Sequence, residues 1–485
     1  MTTSAQELAQ IFGPRVDVSS AAQAARTSDR KFVRGRTELA LYEKERNPSG
    51  HILSAWEAYK AYGLDVLEEA IEFGTAILAH SPDAVSQVIR SRMRDLGLPV
   101  SKLGGRLGVP RLDLERMVRN DWSHVSVDDV ERVAFRLGLD EASIAFRPYA
   151  AGDERIAHRL RVLQTRQGGH RDAELNPGAV LSFAEAASVI RIQHNLQAWL
   201  GFKSGHVNFQ PSNDYGSSTS PAWQVGYMLA EEARRALGLN GNPIESLREL
   251  TEKILGIPVV QAELSEHIAG ATIACHSPDG VEVRGVVLNV KGANENPWVR
   301  RATLAHELGH LLFDPEQELQ SVRVDTYEGI SSDPSEIRSD FVEQRANAFA
   351  VAFLAPLDVI RQMMRPPLSL DDLVGVMERF GISYTAARYH IHNAWYRSYD
   401  LPVERPSLPP SDEWRAAENF TIDYFPIEQT PISRRGRFAG FVVACLNNNL
   451  LSLQSAANYL ACTPEQLEQA APTIADIHPI GSELS

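Results

Sequence analysis

Cysteine is scarce in this sequence. Three occur among 485 residues, Cys275, Cys445 and Cys462, an odd number with neither metal nor disulfide spacing. That excludes a disulfide framework and fits a reducing, cytoplasmic compartment, where each thiol serves by default as a small buried hydrophobe. A long apolar run is missing as well. The first thirty residues carry Glu7, Arg15 and Asp17, so neither a secretory signal nor a membrane span is expected. Positive charge is in deficit: 48 Lys and Arg face 62 Asp and Glu, a net charge of −14. Such a balance argues against a surface built wholly for nucleic acid and leaves room for a local basic patch. No Ser or Cys nucleophile arrangement stands out. Gly104-Gly105-x-x-Gly108 lacks the preceding strand and the Lys-Ser/Thr of a phosphate loop. What remains is ordinary globular composition, 44% hydrophobic and 23% charged, in a chain with room for roughly two to four domains.

Against this background stands His306-Glu307-Leu308-Gly309-His310. On an α-helix, positions four apart share a face, so two imidazoles at this spacing can clasp one Zn²⁺ at roughly 2.0–2.1 Å. Glu307 sits one step round the helix, placed to take a proton from a water rather than to bind the ion. The flanks suit a helix: Asn296-Pro297 offers an N-cap and a proline at the first helical position, and Leu304, Leu308, Leu311 and Leu312 form an apolar stripe. A catalytic tetrahedral site needs a third protein ligand. Downstream, Asp340 to Pro356 reads as a second helix stopped by proline, with Ala346, Ala348 and Ala350 small enough for close approach to the first. Glu343 near its start can supply the carboxylate, with Asp314, Glu316, Glu336 and Asp340 as rivals. Asp314 would have to complete a set spanning two full turns of one helix, too long for a tetrahedral ion.

These two stretches, Arg300-Arg-Ala-Thr-Leu-Ala-His-Glu-Leu-Gly-His-Leu-Leu-Phe313 and Glu343-x-x-Ala-Asn-x-Phe-Ala-x-x-Phe-Leu-Ala-Pro356, resemble the two signatures of the ImmA/IrrE family of zinc metallopeptidases. The resemblance covers roughly residues 220 to 395. It implies Zn²⁺ held by His306, His310 and Glu343, with Glu307 as general base, in an α+β, mostly helical fold. In that fold a zincin-like core packs active-site helices on a small antiparallel sheet, with helical N- and C-terminal domains around it. Arg284-Gly-Val-Val-Leu-Asn-Val290 and His267-Ile-Ala-Gly-Ala-Thr272 are similar to the strands before the active helix, and Leu373–Tyr389 to the small tail after it. The implied activity is endoproteolysis of a partner regulator, a helix-turn-helix repressor. The strand Val283–Val290 is expected as the edge for substrate pairing, and Tyr327, Tyr384 and Tyr389 are candidate oxyanion donors. The acidic insert Pro315–Glu336 departs from the family pattern.

Residues 84–150 resemble an Xre-like helix-turn-helix. From Arg90 to Arg119 there are eight basic and three acidic residues, the kind of patch that phosphates want. Arg106, Arg111, Arg116 and Arg119 are the candidate DNA contacts. The competing reading is therefore a DNA-binding regulator or antitoxin-like protein with an inactive or sensory zinc site. Elsewhere, residues 1–83 read as a helical region, with Leu39–Tyr42 and Ala55–His80 as helical segments, and 151–219 as a helical linker region containing helices at Arg155–Gln167 and Leu181–Leu200. The peptidase-like domain with its tail spans 220–400. A Pro-rich linker covers 401–432, and 433–485 forms a C-terminal helical element suited to docking or dimerisation. His390 and His392, two apart on a helix, diverge and read as core or surface residues. No membrane partner is expected, and nothing in the sequence bears on oligomeric state.

Overall fold

The computed structural model describes residues 4–43, 50–78, 83–139, 176–202, 221–276, 282–314, 323–326, 341–364, 367–395, 406, 408–418 and 424–480. The chain divides into two compact units. One comprises Met1–Phe202, Cys275–Val283 and Thr421–Ser485; the other comprises Lys203–Ala274 and Arg284–Phe420. Both are mostly helical and each contains one small sheet. Among the described residues, no helix is long and apolar enough to cross a membrane.

In the first unit the N-terminal region is not purely helical. Four short strands, β1 (Lys31–Arg34), β2 (Glu38–Leu41), β3 (His51–Ser54) and β4 (Thr75–Ile77), form an antiparallel sheet in the order β3-β1-β2-β4. Leu39 to Leu41, expected in a helix, lie in β2. Strands of three or four residues carry too few alternations to be told from a helical turn. The expected helix from Ala55 is really two, Ala55–Tyr62 and Leu64–Glu72, interrupted at Gly63, whose φ of 81° a glycine adopts without strain. Helices Asp83–Asp95, Val100–Leu103, Arg111–Arg119 and Val127–Arg136 follow. The 23-residue helix Pro177–Trp199, capped by Asn176, is buried nearly all round and forms the spine of this unit.

The C-terminal helices Arg437–Asn447, Leu453–Leu460 and Pro464–Ile477 belong to the same body. The backbone N–H of Ile52 in edge strand β3 donates to Gln454 Oε1 (2.8 Å), and Ser452 Oγ donates to the Ile52 carbonyl (2.7 Å). The buried Glu57 carboxylate accepts from the N–H groups of Ser54 and Ser452, both at 2.7 Å. Burial still raises its pKa above the ordinary carboxylate value. Buried Glu185 on the spine accepts from Arg434 (2.8 Å) and pairs with Arg136. The thiol of Cys445 is buried and that of Cys462 half-buried; burial pushes the latter up to about 11, the inert state expected of a packing cysteine.

The second unit carries β5 (Val259–Ala262), most of β6 (Ile268–His276) and of β7 (Glu282–Asn289), and β8 (Arg323–Thr326), in the order β5-β7-β6-β8. The sheet is mixed rather than antiparallel: β5 pairs parallel to β7, and β6 antiparallel to β8. The reason lies in the connections. Those flanking β6 are too short for a parallel crossover, so the chain reverses twice and β7 returns in the direction of β5. Consequently β7 lies between two partners and is not the free edge that the sequence suggested for substrate pairing.

One helix lies against this sheet, and two more pack on it in turn. Pro297–Phe313 carries the motif, Phe341–Leu354 the second signature, and Ala222–Ala236 lies against the latter. Close approach is written in glycine. A Cβ at Gly309 would stand 2.9 Å from Phe349 Cδ1, and one at Gly226 would stand 2.4 Å from the Arg345 carbonyl oxygen. The tail helices Leu370–Phe380 and Tyr384–Ala394 close the unit. His390 is core, one of the two readings that its spacing left open. Its Nε2–H donates to the Ala355 carbonyl (2.6 Å) and its Nδ1 accepts from Tyr227 Oη (2.7 Å), while burial lowers its pKa to about 4. The Pro-rich stretch is only in part a linker: Asp412–Ala417 is helical, and Glu418 is buried against the motif helix.

Candidate metal centre

The motif helix starts as its sequence demands. Asn296 Oδ1 accepts the Trp298 N–H (2.9 Å), and Pro297 occupies the first turn, where its missing donor does no harm. At the other end Arg284 of β7 donates to the Leu311 carbonyl (2.6 Å), satisfying an acceptor that the helix itself leaves open. Between these ends, His306, Glu307 and His310 are fully buried or nearly so.

Among the described residues, one group is arranged to hold a metal ion: His306, His310 and Glu343, with ligand atoms all within 4.8 Å of one another. His306 Nε2 and His310 Nε2 are 3.0 Å apart, and Glu343 oxygens lie 3.3 Å from the former and 3.6 Å from the latter. Three corners of a tetrahedron around zinc, with ligands at roughly 2.0–2.2 Å, are separated by about 3.3 Å. The donor set and its spacing therefore fit the ion. Glu343 reaches the site because its helix packs on Gly309; Ala346 Cα lies 3.5 Å from where a Gly309 Cβ would be. Ala348 instead faces Gly226, so the small residues of this helix serve two neighbours.

Asp314 has a different job from the one weighed for it. Its Oδ2 lies 2.8 Å from His310 Nδ1, and its Oδ1 pairs with Arg345 of the Glu343 helix. A carboxylate at this pH only accepts, so Nδ1 carries the proton and Nε2 keeps its lone pair for the metal. Arg345 joins the two ligand-bearing helices through this carboxylate, a link that the sequence reading missed. The i, i+4 spacing from His310 to Asp314 was the available signal. Replacing Asp314 with Asn should weaken zinc affinity roughly 10- to 100-fold, as read by competition with a chromophoric chelator; unchanged affinity would remove Asp314 from the site.

Of the rival carboxylates, Glu316, Glu336 and Asp340 lie outside the described residues, as do Tyr327 and the segment Arg155–Gln167. Tyr384 and Tyr389 stand on the tail helix; burial raises the pKa of the Tyr227 phenol, and Tyr389 adds to the rise. The candidate DNA contacts lie in the first unit. Arg106, Arg111 and Arg119 are exposed and Arg116 is half-buried. Arg111 pairs with Glu115 (2.9 Å) and Arg116 with Asp113 (3.0 Å), so two of the four are neutralised on their own helix. Arg92, counted in the basic patch, is buried and donates to the carbonyls of Leu137 and Gly138.

Two imidazoles and a carboxylate converging on one point, with a further buried carboxylate on the same helix, define a metallopeptidase-type site. The comparison with known families agrees. Residues 283–392, which contain both signatures, match the model of the IrrE N-terminal-like domain, peptidase family M78. No curated protein matches the chain.

Proposed function

We propose that this chain is a zinc-dependent endopeptidase whose substrate is a partner regulatory protein, a helix-turn-helix repressor being the class that the family resemblance implies. The observation that carries the reading is Glu307, buried in the motif helix beside three convergent ligands. A purely structural zinc site, closed by its ligands, has no use for such a base. His306, His310 and Glu343 would hold the ion, and Asp314 and Arg345 would keep His310 in the metal-binding tautomer. When bound, zinc lowers the pKa of a coordinated water to about 7 and polarises the scissile carbonyl. Glu307 would take a proton from the attacking water and hand it to the leaving amine. An extended substrate would add its backbone to a sheet edge. With β7 enclosed, the edge on the β6 side belongs to β8.

The purified chain, added to an extract of the cells that make it, should generate new protein N-termini. These should disappear with a zinc chelator and return when zinc is restored. An identical set of N-termini with and without the metal removes the peptidase reading.

A further inference from the structure

Gly270, on β6, has a negative or extended φ and so no conformational need to be glycine. Its surroundings give the reason. A Cβ built there would stand 2.8 Å from Glu307 Oε1, 3.0 Å from the Val287 carbonyl oxygen and 3.1 Å from Thr303 Cγ2. The strand's bare backbone is thus pressed against the carboxylate of the proposed general base. An irregularity in the strand holds it there. Pairing of β6 with β8 steps from Ile268↔Thr326 to Gly270↔Asp325, so Ala269 is one residue too many, a β-bulge. Asn294 Nδ2 donates to the Ala269 carbonyl (2.8 Å), and Asn289 Nδ2 donates to that of Ile268 (2.8 Å). Asn294 Oδ1 in turn accepts from Thr303 Oγ1 at 3.0 Å. Thr303 lies one turn before Glu307 on the same helix face. All three polar side chains are buried.

We propose that Gly270 is a positioning residue. The bulge at Ala269, read by Asn294 and tied through Thr303 to the motif helix, sets the distance between strand and helix, and the missing side chain at 270 leaves the Glu307 carboxylate its stance. The role rests on the peptidase reading above; the contact does not. Any side chain at 270 would drive Glu307 aside while leaving His306, His310 and Glu343 in place.

The test uses the full, zinc-loaded chain and a cycle of Gly270→Ala, Glu307→Ala and the double variant. Gly270→Ala should lower the melting temperature of the parent and lose at least half of that effect when Glu307 is alanine. Equal losses in both backgrounds overturn the contact. A variant that folds only in the Glu307→Ala background supports it; one that folds in neither assigns the glycine to Val287 and overturns it. With a fluorescence-quenched peptide library as probe, Gly270→Ala should lower kcat about 100-fold with KM within about threefold of the parent and zinc content unaltered. An unchanged kcat overturns the positioning role. If the zinc-loaded parent cleaves neither the library nor any protein of the cell extract, the peptidase reading and with it the role fail, while the melting cycle still decides the contact.

Discussion

Glu307→Gln should leave zinc in place and lower turnover by roughly 10²- to 10⁴-fold, the usual range for a lost general base. The side chains are nearly isosteric, so the packing against Gly270 is preserved, and neither imidazole nor Glu343 is touched. What changes is that an amide has no basic site for the proton. Because Glu307 is fully buried, bulk water has poor access to take over the transfer. The loss should fall on kcat rather than KM, since the group acts on a proton that moves only as the bond is attacked. Metal content by elemental analysis and single-substrate kinetics on the same preparation decide the matter. Retained zinc with unchanged turnover would remove Glu307 from the role of base.

The site was legible because its chemistry is local. Two histidines one helical turn apart, with Glu307 between them, encode a candidate ligand pair in five residues, and the structure brings Glu343 to them through the contact of Gly309 with Phe349. The N-cap at Asn296 was visible for the same reason. What escaped was non-local. The strands β1 to β4 are too short to show a period of two, and the edge strand β3 is hydrogen-bonded by Ser452 and Gln454, some four hundred residues away. Nor does a sequence announce that Thr421–Ser485 returns to the same compact unit as the N-terminal residues. The strand order β5-β7-β6-β8 follows from how connections reverse, not from the apolar run Val286-Val287-Leu288, which reads alike at an edge or in the interior. Gly270 and Asp314 fall between these cases. Each sits beside a recognisable motif, yet its role depends on which atom across the gap it meets.

Glu418→Ala should destabilise the second unit by about 3–5 kcal/mol, the cost of leaving a buried charge unpaired. Glu418 lies in the stretch that proline content marks as a linker, yet it is almost wholly buried. It pairs with Arg301 of the motif helix and accepts the Leu247 N–H at 2.6 Å. Arg301 is fully buried, stacks 4.3 Å from the centre of the Trp414 ring and donates to the Ile244 carbonyl at 2.6 Å. Burial lowers the guanidinium's pKa, with Glu418 pulling it back up. Without the carboxylate, the cation retains carbonyl partners and the Trp414 ring but no counter-charge, and the Leu247 N–H loses its acceptor. Against a typical domain stability of about 5–15 kcal/mol, the loss is large enough to shift a urea midpoint plainly. Replacing both residues together, Arg301→Met with Glu418→Leu, should recover much of it, because an apolar pair of similar volume carries no desolvation penalty. If the single variant unfolds no earlier than the parent, the pair contributes nothing net.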